Sequence, residues 1–255
     1  MAILRAASTL SSAGLLVALL LAWELFSRYV LPLYEPAAAL IFPPPSDGVL
    51  DAVALLKQGV LMPHVIASVQ RVYIGFFVAA IIGIPVGIAM GLSPMVFRQL
   101  TPIIGVLRPI PPVAWIPITL LWFGVTNTQQ YFIIFIGTLF PIVLNTIAGV
   151  QGIDPVIKRA ALSLGADSRA MFKVMLQGAL PSIFLGVRTS LGLGWFIIVA
   201  SEMVSASTGL GFLITEARTA MITQRLYVGM FAIGLIGFLQ DQFLLWLRGK
   251  LVPWA

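Results

Sequence analysis

Apolar residues run through this chain in long blocks, separated by short polar or proline-rich breaks. A helix needs about 20 consecutive apolar residues to cross the hydrocarbon core of a bilayer. Six blocks meet that length, at roughly 13–31, 72–92, 100–123, 131–150, 183–204 and 226–247. The third is interrupted by Arg108-Pro109-Ile110-Pro111-Pro112. Each proline removes a backbone N–H, so this block is expected to be a broken helix. Between the first two blocks, the stretch 34–70 carries Phe42-Pro43-Pro44-Pro45, then Ser46-Asp47 and the apolar spacing Leu50, Val53, Ala54, Leu56. That pattern predicts an extended turn leading into a short interfacial helix. The first block is longer than the apolar core of a signal peptide and has no small-residue cleavage site after it, so it reads as a retained helix. The expectation is an all-α integral membrane protein, a single transmembrane domain over 1–255. Its first span and outer loop occupy 1–71, and its core occupies 72–250.

Composition strengthens this reading. Hydrophobic residues make up 60% of the chain and charged residues 9%, with a mean hydropathy of +1.04. A soluble domain carries about 25% charged residues, so lipid is the solvent that this surface requires. The net charge of +6 comes without any Lys/Arg run, which fits basic cytoplasmic loops rather than a nucleic-acid partner. With the N-terminus inside, the cytoplasmic segments hold Arg5, Arg98, Lys158, Arg159, Arg169, Lys173, Arg248 and Lys250. The external segments hold Arg28, Lys57, Arg71, Arg218 and Arg225 over longer stretches, so both termini are expected in the cytoplasm. The chain has no cysteine and one histidine, His64, which excludes thiolate or histidine-cluster metal sites. No HExxH, GxSxG or GxxxxGK[ST] pattern occurs, so no metal site and no catalytic residue is expected.

Small residues recur at helical spacing within two spans. Gly75, Ala79, Gly83, Gly87 and Gly91 share one face of the second span, which Pro85 should bend. Gly186, Ser190 and Gly194 do the same in the fifth. In lipid such faces bring helices close together, either inside one chain or at a subunit interface. Ionisable residues within spans are costly and are functional candidates. Glu24 and Arg28, one turn apart, suit an ion pair or snorkelling. Arg188 can snorkel or face a pore, and Asp241 suits pairing with a neighbouring helix. Arg108 has two readings: a cation on an anion path beside a broken helix, or a lock on Glu202 or on freed carbonyls. Trp115 and Trp195 either line a cavity or fill space, and Ser201 and Glu202 lean toward the same region. Trp122 suits the outer interface.

The longest polar-containing loop among the later spans is 151–182. Asp154 can cap a helix that Pro155 begins. Val156, Ala160 and Leu164 form an apolar stripe flanked by Ile157 and Ala161, with Lys158 and Arg159 off it. Gly165, followed by Ala166, supplies the stop. A second short helix is expected from Asp167 or Ser168 through Met171, Phe172 and Met175, ending by Pro181. An apolar helix too short to span must dock on something, whether the chain's own helix ends or a partner.

At Arg159-Ala160-Ala161-Leu162-Ser163-Leu164-Gly165, continuing through Phe172 to Ala179-Leu180-Pro181, the sequence resembles the EAA loop of membrane subunits of ATP-binding-cassette importers. Leu107 to Pro117, Leu121-Trp122-Phe123-Gly124, Gly192-Leu193-Gly194-Trp195, Glu202-Met203, Phe42-Pro43 through Ser46 and Gly209-Leu210-Gly211-Phe212 look like the nitrate/sulfonate/taurine/bicarbonate branch. Within it, the taurine and alkanesulfonate permeases look nearest. Arg159 departs from the motif's acidic position, and Gln177-Gly178 stands where a proline is usual. The resemblance implies a type I importer permease (MetI-like) that pairs with a second copy of itself. Two separate ATPase subunits, which bind ATP and Mg, would each receive one 151–182 coupling loop, with Asp154, Lys158, Arg159, Ala160, Ala161, Gly165, Ala166 and Phe172 at the contact. An extracytoplasmic binding protein would deliver a small anion. The implied location is the prokaryotic inner membrane. A stand-alone secondary transporter or channel, and an intramembrane enzyme, are the competing classes.

Overall fold

The computed structural model describes residues 2–34 and 41–254, with side chains from residue 14 onward. Residues 35–40, inside the expected extended turn, lie outside the described residues. Helix α1 (Ala2–Leu25) runs through a π-helical turn (Phe26–Val30) into α2 (Leu31–Tyr34). The expected interfacial helix is α3 (Pro45–Lys57). Helix α4 (Leu61–Leu92) is followed by α5 (Pro94–Leu107), a 3-10 turn (Pro112–Trp115) and α6 (Ile116–Phe123). Helices α7 (Asn127–Gln151), α8 (Pro155–Ser163), α9 (Ser168–Ser205), α10 (Leu210–Thr219) and α11 (Thr223–Leu251) complete the chain. Among the described residues there is no strand.

Helices α4, α7 and α9 form the core, and glycines set their contacts. A Cβ on Gly75 would fall 2.7 Å from Ile134, on Gly83 3.1 Å from Ile142, on Gly87 2.6 Å from Thr146 and on Gly91 2.6 Å from Val150. Backbones approach closely here because no side chain intervenes. This stripe is therefore internal packing between α4 and α7. Gly186 packs on Asn145, the Ser190 hydroxyl donates to the Thr138 carbonyl at 3.0 Å, and Gly194 rests against Val72 and Thr138, so the second stripe is internal as well. On the outside, Leu15, Leu16 and Leu19 of α1 and Phe238, Leu239 and Phe243 of α11 are exposed, as lipid-facing residues are.

The pairing order determines the number of crossings. Partner positions on α7 rise with position along α4, so these two helices run parallel. Along α9 they fall (Gly149 against Ser182, Asn145 against Gly186, Thr138 against Gly194), so α9 is antiparallel to both. Two parallel crossings require the chain to return through the bilayer between them. Only α5 and the turn with α6 can do this, and they form one crossing bent by 80°. With the five other helical segments long and apolar enough to span, the described residues make six crossings. Helix α1 therefore enters from the face on which α11 ends.

Two expectations are corrected. The second span begins at Leu61 rather than 72, so Arg71 lies inside a helix and not in an external loop, and a division between 71 and 72 would cut α4. The helix after the coupling turn does not end by Pro181. It continues as α9 through the fifth span for 38 residues with Pro181 inside it, a placement tolerated where neighbouring helices shield the freed carbonyl.

Candidate functional site

The coupling loop is built by two capped helix starts around a glycine turn. The Asp154 carboxylate accepts from the Val156 N–H at 2.7 Å, with Pro155 opening α8, and the Asp167 carboxylate accepts from the Ala170 N–H at 2.8 Å to open α9. Between them Gly165 has φ +79, a left-handed conformation suited to glycine. The base of the loop is anchored, since Ile153 is buried with Val150, Met175, Ala179 and Ile183. Helix α8 itself projects free of the bundle. Arg159, Ala160 and Gly165 are exposed, while Lys158, Ala161 and Ala166 are half-buried. Its apolar residues are uncovered: Val156 is 58% exposed, Leu162 61% and Leu164 89%, with Ile157 and Phe172 about half exposed. Of the alternatives posed by the apolar stripe, docking on the chain's own helix ends is not seen among the described residues.

At the opposite end of α9, some 30 residues and about 45 Å of helix away, Glu202 is fully buried. Its counter-ion is Arg71, Nη1 to Oε1 at 2.8 Å, with Arg71 only 5% exposed. The Ser68 hydroxyl donates to the same carboxylate at 2.8 Å, and the Gly211 N–H donates to Oε2 at 2.9 Å. Arg71 also donates to the Thr208 carbonyl and hydroxyl and to Asn127. The Leu210 N–H donates to Ser68 and the Gly209 N–H to His64 Nδ1. A carboxylate thus sits at the N-terminus of α10, where free N–H groups and the helix dipole favour negative charge. The cluster clamps α4, α9 and the turn into α10. Gly209 is required there, with φ +123 and no room for a Cβ beside the Glu202 carboxylate.

Arg108 closes α5 at the break. It lines a cavity of 490 Å³ with Pro111, Gly137, Phe140, Asn145 and Phe196, and no carboxylate lies within ion-pairing distance of it among the described residues. The structure does not gather the other expected path residues around it. Trp115 lines a separate apolar cavity of 290 Å³. Trp195 is buried and donates Nε1–H to Gln240 at 3.0 Å. Ser201 is buried with an unpartnered hydroxyl, and Glu202 belongs to the clamp. Glu202 therefore does not pair with Arg108. Arg71 is the functional-looking residue that sequence reasoning missed, because the apolar window opened one residue after it. Its helical register with Ser68, Val72 and Gly75 was the available signal. The other span charges that the sequence singled out are paired. Arg188 and Asp241 meet in two bonds of 2.5 and 2.8 Å between α9 and α11, and Arg28 bridges Glu24 and Asp47 while Ser46 bonds both Glu24 and Arg28.

Six crossings, glycine-tight internal packing and an uncovered amphipathic helix outside the bundle define a multi-pass membrane subunit built to engage another component. Residues 83–254 match the family model described as binding-protein-dependent transport system inner membrane component, and the chain belongs to that family. It is 38% identical over 250 residues to the taurine transport system permease protein of Escherichia coli (strain K12), covering 95% of this chain and 89% of that one. A nitrate import permease protein of Synechocystis sp. is 36% identical over 191 residues, covering 74% of this chain and 70% of its own length. A bicarbonate transport system permease protein of Synechococcus elongatus is 40% identical over 185 residues, covering 72% and 66%. The chain is a transport permease of the ATP-binding-cassette importer class, multi-pass in the membrane, and works in a complex with other subunits.

Proposed function

We propose that two copies of this chain form the pore of an ATP-driven importer for a small anion, with taurine or another alkanesulfonate as the leading substrate. Nitrate, bicarbonate or another small organic anion is the alternative cargo. The uncovered apolar face of α8 carries the reading: among the described residues it has no partner in its own chain, and it is supported by capped, anchored flanks. Each α8 docks in a groove of one of two ATPase subunits, which hold ATP and Mg. Closure of those subunits on ATP is passed through the loops to switch the pore between its two openings, and an extracytoplasmic binding protein supplies the substrate. Helix α8 and both termini then face the cytoplasm, and the Glu202 clamp faces outward. The anion class is supported by relatives named for taurine, aliphatic sulfonate, nitrate and bicarbonate transport.

The test is reconstitution of the chain in vesicles with and without its co-expressed ATPase subunit, with the binding protein and taurine outside and ATP on the α8 side. Uptake that needs both partners and ATP is expected. Uptake by the chain alone would overturn the reading in favour of a secondary transporter or channel, for which α8 has no use.

A further inference from the structure

We infer that Arg108 is the substrate-contact residue of this chain's half of the path, standing where two successive cavities meet; the inference rests on the importer reading above. Arg108 lines both the 490 Å³ cavity and a second one of 340 Å³ that it shares with Thr101, Ile104, Ala148 and Gln151. Helix α7 provides their common wall. Phe140, Leu144 and Asn145 face the first, Leu144 and Ala148 the second, and Gln151, where the coupling loop begins, closes the second. The two cavities thus descend one stripe of α7 from mid-bundle to the α8 face, with the guanidinium at the junction.

The charge pattern selects the function. Among the described residues, Arg108 is the one charged residue lining either cavity. Arg28, Arg71 and Arg188, the other span arginines away from the α8 face, have carboxylate partners within 3.6 Å, whereas Arg98, Arg169, Lys173, Arg248 and Lys250 sit toward that face without one among the described residues. An unpaired cation in a membrane interior is costly and is retained where it meets an anion or water-filled space. It caps α5 just before Pro109 and Pro111, where it is exposed in the single chain and open to the two cavities it lines. A guanidinium presents a planar fork of donors that matches the oxygens of a sulfonate, nitrate or bicarbonate. A single cation among apolar walls attracts such an oxyanion without burying it behind several charges. That balance is needed, because conduction fails if binding is too tight.

The experiment uses the reconstituted complex of this chain, its ATPase subunit and its binding protein, with labelled taurine. ATP hydrolysis stimulated by the taurine-loaded binding protein reports assembly and coupling, and uptake reports passage. Arg108→Gln should lower uptake about tenfold or more, the size expected for losing charge-assisted hydrogen bonds, while stimulated hydrolysis stays within about twofold. Arg108→Lys should fall between, and Lys250→Gln, remote from both cavities, should match wild type. Uptake by Arg108→Gln within about twofold of wild type overturns the inference, as does parallel loss of hydrolysis and uptake, which marks a structural role. A lipid phosphate is the other oxyanion source. If the Arg108→Gln deficit appears in phosphatidylglycerol vesicles and vanishes in phosphatidylcholine ones, the residue is a headgroup anchor and the inference is wrong. Absence of ATP-dependent uptake by the wild type would instead refute the importer reading itself, and this inference with it.

Discussion

Truncating Glu202 to alanine tests whether the buried clamp holds the outer end of the bundle. In the folded chain its carboxylate accepts from Arg71, Ser68 and Gly211 at 2.8, 2.8 and 2.9 Å. Glu202→Ala leaves Arg71 buried without a counter-charge and the Gly211 N–H without an acceptor. Breaking one side of a buried ion pair costs about 3–5 kcal/mol, because the surviving charge stays desolvated. In a chain of this size each kcal/mol lowers the melting temperature by about 2–4 °C, so a drop of roughly 6–20 °C is expected. Glu202→Gln keeps an acceptor in the same place and should lose about half as much. Thermal unfolding followed by tryptophan fluorescence in one detergent measures each variant. Arg71→Ala/Glu202→Ala removes both charges together, so its loss should fall well short of the sum of the two single losses. The reasoning is refuted if the single losses simply add, or if Glu202→Ala melts within about 2 °C of wild type. Gly209→Ala is a companion probe. It places a Cβ against the same carboxylate at a backbone φ of +123, and should destabilise although it touches no charge.

Gly91→Leu drives a side chain into Val150, whose Cβ already stands 2.6 Å from an ideal Cβ at 91, and should lower stability by at least about 1–3 kcal/mol in the same melt. Ile157→Asp, on the uncovered α8 face, should leave the melting temperature nearly unchanged, within about 0.5 kcal/mol, yet weaken capture of the ATPase subunit in a pull-down about tenfold. Arg188→Asp and Asp241→Arg should each reduce the yield of folded protein on size exclusion. Combining them should restore about half or more of the loss, because the pair bridging α9 and α11 is then re-formed with reversed sign.

Much of this architecture was legible because bilayer thickness imposes a length on apolar blocks that composition cannot disguise. The break at Arg108 to Pro112 was readable from missing N–H groups, the cap at Asp154 from a side chain that competes for helix-end donors, and the next helix start to within a residue at Asp167 or Ser168. What local pattern could not supply was pairing across helices. Arg188 and Asp241 were each visible as costly charges, but 53 residues separate them, and only the antiparallel approach of α9 and α11 makes them partners. Arg71 was hidden by the edge of the apolar window, so Glu202 stood without an obvious counter-ion and Arg108 became a candidate for it. Pro181 misled in the other direction. A mid-helix proline commonly ends or kinks a segment, whereas here packed neighbours let α9 continue past it.

That continuity gives α9 its mechanical meaning. One uninterrupted helix begins beside α8, forms the tight antiparallel contact with α7, and ends in the carboxylate that holds the turn into α10. Side chains along it are interdigitated at glycines where a Cβ would not fit, so its contacts with α7 cannot slide continuously. On the importer reading proposed above, a displacement imposed near Phe172 would be passed along this one helix toward Glu202, about 45 Å away. The clamp at that end ties α4 and α10 to the same rod. If the helix ended by Pro181, as the sequence pattern implied, motion of the loop would be absorbed at that break and the outer end would stay still. A continuous α9 thus makes a specific demand: Glu202→Ala should loosen the coupling between hydrolysis and uptake even in the fraction of complexes that remains folded.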